Sequence, residues 1–373
     1  MQHIFPKGKL LPQDLNALFI QLQNKGYQII GPKREGQCIT YAQIDSIEDL
    51  PKGWTDYQEK GTYRLKNRND NAYFGYNIGS RTFKQFLFPP REKIFKISKQ
   101  GNMQTLSLDK IHKLALIGVR ACELHAIQIQ DKVFMSDNHA DQHYLQRRSQ
   151  SFIVALNCHT AANTCFCVSM NTGPEVASGY DLNLSEIIND KEHYFICEVG
   201  SEKGREIFEK LTITEVTQDD MNKKKKMIEH TASKMGRSLD TTNIKEKLEK
   251  AHDHPHWDDV ASRCINCANC ALACPTCFCS TNEDVSDIEQ ETTTRTKVWD
   301  TCFSQEYSHI HDANVRSSSK SRYRQWLTHK LGTWHDQFDT SGCVGCGRCL
   351  TWCPVGIDLT EEFASLTQID DSK

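Results

Sequence analysis

A run of cysteines that occurs twice, each time closed by a Cys-Pro pair, constrains this chain more than any other feature. The first run is Cys264, Cys267, Cys270, Cys274 and Pro275, and the second is Cys343, Cys346, Cys349, Cys353 and Pro354. This C-x2-C-x2-C-x3-C-P spacing is the iron–sulfur signature of bacterial two-cluster ferredoxins. The sequence therefore predicts two [4Fe–4S] clusters and a chain that carries electrons.

The spacer residues of both runs fit a loop that curls tightly around a cluster. Thiolates at intervals of three residues require a backbone whose spacers tolerate a positive φ. Gly345 and Gly347 meet this need in the second run, and Asn266 and Asn269 are the candidates in the first. The proline after each run favours an extended backbone at the fourth cysteine.

The ligands are expected to cross between the runs, because the fourth cysteine of each run in two-cluster ferredoxins ligates the other cluster. The predicted ligands of cluster 1 are Cys264, Cys267, Cys270 and Cys353. The predicted ligands of cluster 2 are Cys343, Cys346, Cys349 and Cys274.

Structural zinc and structural disulfides are the competing interpretations of the cysteines. Zinc sites use C-x2-C pairs separated by a longer stretch, which the triplet plus one does not match. Disulfides need an oxidising compartment, but the chain begins without a signal-peptide pattern and has no apolar run of membrane-spanning length. We therefore expect a cytoplasmic protein without membrane insertion, in which seventeen cysteines point to metal.

Length and charge narrow the function classes further. The 373 residues suffice for two or three domains, so most of the chain does more than hold two clusters. The formal net charge of −3 offers no basic excess for a nucleic-acid partner, and the run at 223–226 is interpreted as the solvated face of a helix.

The hydrophobic pattern predicts an α+β multidomain chain. An amphipathic helix is expected at 13–25, and buried strands at 114–119 and 152–156 flank a helix-like segment at 123–135, which predicts a βαβ unit. A Lys/Glu-rich stretch follows at 221–252. The expected domains are an N-terminal α/β domain at 1–220, a helical linker at 221–256 and a mainly α-helical dicluster ferredoxin domain at 257–373.

Four more cysteines allow a third cluster. Cys122 and Cys158 each follow a predicted buried strand, and ligands of open α/β sheets gather at the carboxyl ends of strands. Cys165 and Cys167 come shortly afterwards. Because free cysteine is also a frequent core residue, the sequence leaves open whether these four residues hold a third [4Fe–4S] cluster or are buried hydrophobic residues.

The remaining cysteines and histidines do not correspond to any ligand position of the ferredoxin pattern. Cys277, Cys279 and Cys302 are expected to pack beside the clusters, with direct ligation as the alternative. Cys38 and Cys197 fall in predicted strands and are expected in the core. The histidines at 252–256 and 309–311 are interpreted as surface or packing residues, and the basic segment 316–330 as a surface helix or a docking face for an acidic partner.

No catalytic residue is predicted. The sequence contains no recognisable nucleophile–base motif, no G-x-G-x-x-G loop and no P-loop lysine motif. We therefore expect substrate chemistry to occur on a partner subunit, and the sequence leaves open whether this chain is itself an enzyme.

Several segments in order resemble one family. They are GVRACELHAI (118–127), RRSQSFIVALNCHTAANTCFC (147–167), CINCANCALACPTCFC (264–279), WDTC (299–302) and CVGCGRCLTWCPVGI (343–357). Together they resemble the beta subunit of soluble nickel–iron sulfhydrogenases, and they are also similar to the A subunit of anaerobic sulfite reductase.

The resemblance implies a cytoplasmic, multi-subunit oxidoreductase in which this chain passes electrons between a flavin subunit that uses NAD(P)H and a catalytic subunit. It includes Cys122, Cys158, Cys165 and Cys167, and it implies that the flavin and the catalytic centre belong to other polypeptides. Two alternatives remain: a cluster-bearing redox sensor or scaffold, and a flavin site in the N-terminal domain.

Overall fold

The computed structural model describes residues 5–105, 112–136, 140–287, 289, 291–311 and 313–367. The strands are β1 (Lys7–Leu10), β2 (Gln28–Glu35), β3 (Cys38–Gln43), β4 (Trp54–Glu59), β5 (Thr62–Asn67), β6 (Arg91–Ser98), β7 (Met103–Thr105), β8 (Leu114–Arg120), β9 (Phe152–Leu156), β10 (Leu182–Ile188), β11 (His193–Val199), β12 (Ser280–Asp287), β13 (Thr292–Trp299), β14 (His309–Ile310) and β15 (Ala313–Asn314).

The α-helices are α1 (Leu15–Asn24), α2 (Lys84–Leu87), α3 (Ala121–Phe134), α4 (Gln142–Gln150), α5 (Glu202–Phe208), α6 (Gln218–Ser233), α7 (Ile244–Lys250), α8 (His256–Arg263), α9 (Asn269–Leu272), α10 (Ser319–Thr328), α11 (Trp334–Phe338), α12 (Arg348–Thr351) and α13 (Leu359–Thr367). A π-helical segment, His329–Thr333, joins α10 to α11. In the part of the chain that the structure describes, none of the helices has the length and hydrophobicity that a bilayer crossing requires.

A seven-stranded sheet with the order β1-β11-β10-β9-β8-β2-β3 forms the N-terminal part. Its four central strands run parallel, and the strands toward both edges are antiparallel. Every residue of β8 and β9 is buried, as expected for parallel strands that are covered on both faces.

The predicted βαβ unit is present, since β8, α3 and β9 follow one another and the two strands pair in parallel. The register places Arg120 opposite Leu156, the last residues of the two strands. The segments that follow both strands therefore leave the sheet side by side at its carboxyl edge.

The C-terminal part is a second core of short helices into which α7 also packs. Ile244 and Leu248 of α7 are buried there with Trp257, Trp326 and Leu331, so this half of the expected linker is part of the core. A strand hairpin departs from the helical pattern expected for this region. It consists of β12 and β13, and β13 pairs with β6 in a four-stranded sheet, so strands from both ends of the chain share hydrogen bonds.

A buried ion pair joins the two parts. Glu123 on α3 contacts the guanidinium of Arg348, which belongs to the second cysteine run, and their side chains are 1% and 6% exposed. Each partner is held by a backbone group, because Glu123 accepts from the Phe83 N–H at 3.1 Å and Arg348 donates to the Gly79 carbonyl at 3.1 Å. The pair fixes the second cysteine run against α3.

Removing the charge of Glu123 should strongly destabilise the protein. We expect Glu123→Gln to lower the free energy of unfolding by about 3–5 kcal/mol, because Arg348 is then a buried charge without its partner. The matched control is Glu202→Gln, which breaks an exposed pair with Arg205 and should cost less than about 1 kcal/mol. Urea unfolding of anaerobically purified protein measures both, and equal losses would contradict the prediction.

Candidate metal centres

The four cysteines expected to bind cluster 1 surround one cavity. Its empty volume is about 430 Å³. Its lining includes Cys264, Cys267, Cys270 and Cys353, joined by Cys349 and by the aromatic residues Phe303, Tyr323 and Trp326. Two of these aromatic residues lie on α10. This helix belongs to the basic segment for which the sequence left two interpretations open, a surface helix and a docking face. Its inner face thus covers the thiol cavity.

The four cysteines expected to bind cluster 2 also lie together. Burial, and after it the neighbouring thiols of Cys343, Cys346 and Cys274, raise the pKa of Cys349 well above its usual value. Cys274 differs, because a hydrogen bond with Cys277 and the positive charge of Lys330 hold its pKa well below the usual value. Cys274 of the first run therefore lies near the thiols of the second run.

The backbone of both runs curls as expected, with one exception. Gly345 and Gly347 have φ values of 63° and 72°, and Asn266 has 55°. The expectation for Asn269 is wrong, because this residue begins α9 and Ala268 before it takes a φ of 63°. The left-handed residue is the one that precedes the helix, and it is alanine in the first run and glycine in the second.

The structure brings the four N-terminal cysteines together as well. Cys122 and Cys158 follow the adjacent ends of β8 and β9, and Cys165 and Cys167 join them around a cavity with an empty volume of about 510 Å³. Cys346 of the second run lines the same cavity. Of the two interpretations that the sequence left open, this convergence favours a third metal centre.

The chemistry of this third set fits a thiolate-bound metal. Burial, then the charges of Cys158 and Cys346, raise the pKa of Cys165 to about 12, so free thiols there would stay protonated. A metal ion keeps its ligand thiols deprotonated, and a soft four-thiolate set selects zinc or an iron–sulfur cluster. Arg120 and Arg348 also line the cavity and place positive charge beside the thiols.

Direct contact between two loops links the second run to the third set. The Phe166 N–H donates to the Gly345 carbonyl at 2.8 Å. A Cβ atom on Gly345 would lie 2.6 Å from the Cα of Cys167, a distance that real Cβ atoms do not reach. Glycine is therefore required here both for its positive φ and for the approach of the two backbones.

The three sets lie in a row. Cys346 lines the cavity of the N-terminal set, and Cys349 lines the cavity of the cluster 1 cysteines. Because both belong to the cluster 2 set, that set occupies the middle. Cys267 at the far end is exposed, so the row reaches the surface there.

Three of the remaining cysteines, Cys277, Cys279 and Cys302, lie beside these sets. Cys277 is hydrogen-bonded to Cys274, and burial followed by the nearby Cys279 raises the pKa of Cys302 to about 12. Cys197 is buried in β11 and Cys38 is half-buried in β3.

One histidine has carboxylate neighbours that sequence spacing did not reveal. His256 lies near Asp259 and Glu362, with its Nε2 atom 2.7 Å from Glu362. Arg263 already pairs with both carboxylates, at 2.7 and 2.9 Å, so this group is an ion-pair network.

The sequence missed the buried cations around the thiols. They are Lys84, Arg120, Lys330 and Arg348, and all four residues are buried. Only Arg348 could have been found from the sequence, because it is a charged residue inside a cysteine run. The others lie outside both cysteine runs in sequence.

Replacing Gly345 should disrupt metal binding. We expect Gly345→Ala to lose about four or more iron atoms per chain, because its Cβ atom would separate the two loops that carry thiols of neighbouring sets. The control is Gly36→Ala, which has a similar φ of 59° but open space around its Cβ position. Iron and acid-labile sulfide assays measure both, and equal iron contents would contradict the prediction.

Comparison with known proteins agrees with this geometry. Residues 263–357 match the family model described as a 4Fe–4S dicluster domain. The chain is 29% identical over 358 residues to the sulfhydrogenase 2 subunit beta of Pyrococcus furiosus, which covers 94% of this chain and 95% of that protein. No solved structure matches. The resemblance expected from the sequence is thus confirmed: over nearly its whole length the chain is similar to a sulfhydrogenase beta subunit, and this similarity and the dicluster domain support an iron–sulfur electron-transfer subunit.

Proposed function

We propose that this chain relays electrons, one at a time, between an NAD(P)H-linked flavin subunit and a catalytic oxidoreductase subunit of a cytoplasmic complex. The observation that carries the proposal is the row of three thiol sets, in which the middle set shares a cavity wall with each neighbour. Substrate chemistry belongs to the partner subunit, and this chain supplies the path.

The proposed ligands divide into three [4Fe–4S] sites. Cluster 1 takes Cys264, Cys267, Cys270 and Cys353. Cluster 2 takes Cys343, Cys346, Cys349 and Cys274. Cluster 3 takes Cys122, Cys158, Cys165 and Cys167, which converge around one cavity.

The arrangement favours a relay over a sensor or scaffold. A sensor needs a single cluster that responds to its surroundings, and a scaffold needs clusters only as cross-links. Three adjacent sites joined by shared loops instead suit stepwise transfer, in which each site exchanges electrons with its neighbour. The row also reaches the surface at one end, where a partner can approach cluster 1.

The surface at that end is apolar. Ile265 is 60% exposed and Val355 is 41% exposed, and both line the cavity of the cluster 1 cysteines together with the exposed Cys267. Exposed apolar residues that cluster around a functional site mark a docking surface for a protein partner. We therefore assign the partner contact at cluster 1 to these residues.

The number of clusters is the first test. Anaerobically purified protein should contain about twelve iron and twelve sulfide per chain, and Cys158→Ala should lower iron by about four. Cys197→Ala is the control, because Cys197 is a buried cysteine in β11 that lies outside the three sets. Equal iron in the Cys158→Ala and wild-type proteins would contradict the third site.

The docking surface gives a second test. We expect Ile265→Glu to slow reduction of the clusters by the flavin or catalytic subunit at least tenfold, because a charge at the contact must be desolvated, while the iron content stays unchanged. Val285→Glu on β12 is the control, since Val285 is 54% exposed but lies away from the cysteine sets.

Anaerobic pull-down of the native complex, followed by stopped-flow reduction with NAD(P)H, measures these rates. Equal rates for both variants would place the contact elsewhere. A complex that contains no flavoprotein able to reduce the clusters would contradict the relay itself.

A further inference from the structure

Lys330 is a buried lysine at the centre of the cysteine sets. It is 3% exposed and lies in the π-helical segment His329–Thr333, within the long insert between the two cysteine runs. Its Nζ atom lies 3.3 Å from the Cys274 Sγ atom, 3.1 Å from the Thr276 Oγ1 atom and 3.1 Å from the Gly342 carbonyl oxygen. An ammonium group has three N–H donors, and these three acceptors match them.

The negative partner of this ammonium is a thiolate. Among the described residues, no carboxylate forms an ion pair with Lys330, although a buried charge is costly unless it is paired. Cys274 is the cysteine that the first run contributes to cluster 2, and metal ligation keeps its sulfur negatively charged. The position of Lys330 is therefore explained by a permanent negative charge at cluster 2.

We propose that Lys330 raises the reduction potential of cluster 2 and so controls how electrons distribute along the row. The inference rests on the proposed assignment of Cys274 to this cluster. One-electron reduction takes the core from [4Fe–4S]2+ to [4Fe–4S]1+, so with four thiolates the total charge goes from −2 to −3. A fixed cation beside one ligand stabilises the −3 state more than the −2 state, and hydrogen bonds to cluster sulfurs act in the same direction.

The cluster 1 site has a neutral donor at the corresponding place. The fourth cysteine of the second run, Cys353, accepts a backbone N–H from Ile357 at 3.3 Å. The two crossed ligands, Cys274 and Cys353, thus differ in the charge of the group that donates to the sulfur: an ammonium at Cys274 and a neutral backbone N–H at Cys353. Lys330 is therefore expected to favour an electron on cluster 2, the middle site of the row.

The test is an EPR-monitored redox titration of the anaerobically purified chain. Lys330→Met removes the charged terminal amine but keeps the rest of the unbranched side chain, and it should lower the potential of one cluster by at least 59 mV, a tenfold change in its one-electron reduction equilibrium. The other signals should stay in place. Lys330→Arg, which keeps the charge, should recover most of the shift.

Lys84→Met is the matched control. Lys84 is 4% exposed and also lies near the cysteines, but its Nζ atom donates to the Leu272 and Cys277 carbonyl oxygens, at 3.5 and 3.2 Å, and not to a ligand sulfur. Its replacement removes an equally buried cation and should shift the potential less than the replacement of Lys330.

An unchanged potential in a Lys330→Met protein with full iron content would overturn the proposal. Equal shifts in the Lys330→Met and Lys84→Met proteins would also overturn it. If the methionine variant loses iron, Lys330→Gln decides, because it keeps a neutral donor: a lower potential supports the proposal and an unchanged one refutes it. The relay is judged separately, by wild-type iron content and partner-linked reduction, so either idea can fail alone.

Discussion

The contact between the Gly345 loop and the Phe166 loop is the constraint on which the rest of the structure depends. One hydrogen bond of 2.8 Å and the absence of a side chain at Gly345 let two cysteine-bearing backbones touch. Two larger features bring these loops together. The buried pair of Glu123 and Arg348 holds the second run against α3, and the parallel ends of β8 and β9 deliver the N-terminal cysteines to the same place. A single methyl group at Gly345 would separate the middle set of cysteines from the N-terminal set.

Charge balance is the second requirement of the three proposed cluster sites, because all three lie in the interior. Each [4Fe–4S] cluster with four thiolates is an anion, and burying an anion is costly unless cations or N–H donors surround it. The chain supplies Arg120 at the end of β8, Arg348 inside the second run, Lys84 on α2 and Lys330 in the π-helical segment. Because these cations come from elements far apart in sequence, the electrostatics of the sites and the association of the two parts depend on each other.

The sequence predicted what is local and missed what is not. Both runs, their positive-φ spacers and the βαβ unit follow from spacing and periodicity over a few residues. The structure agrees with all of them except Asn269, because the preceding residue, Ala268, takes the left-handed conformation instead. The N-terminal cysteines were placed only as far as adjacent strand ends, since no local pattern shows that Cys165 and Cys167 return to them. The pairing of β13 with β6 and the approach of Lys330 to Cys274 join residues about 200 and 56 positions apart, and no short-range signal encodes either.

The order of the row is set by one short loop. Cys346 and Cys349 are three residues apart, yet the first faces the N-terminal set and the second faces the cysteines of the first run. A backbone that curls through Gly345 and Gly347 presents successive cysteines toward different sides of the middle site, so the spacing that holds one cluster also points it at two neighbours. In the proposed relay, the two transfer steps are therefore not independent: any change in the curl of this loop alters the approach to both neighbours at once, whereas a change at the exposed Cys267 alters only the step that leaves the protein.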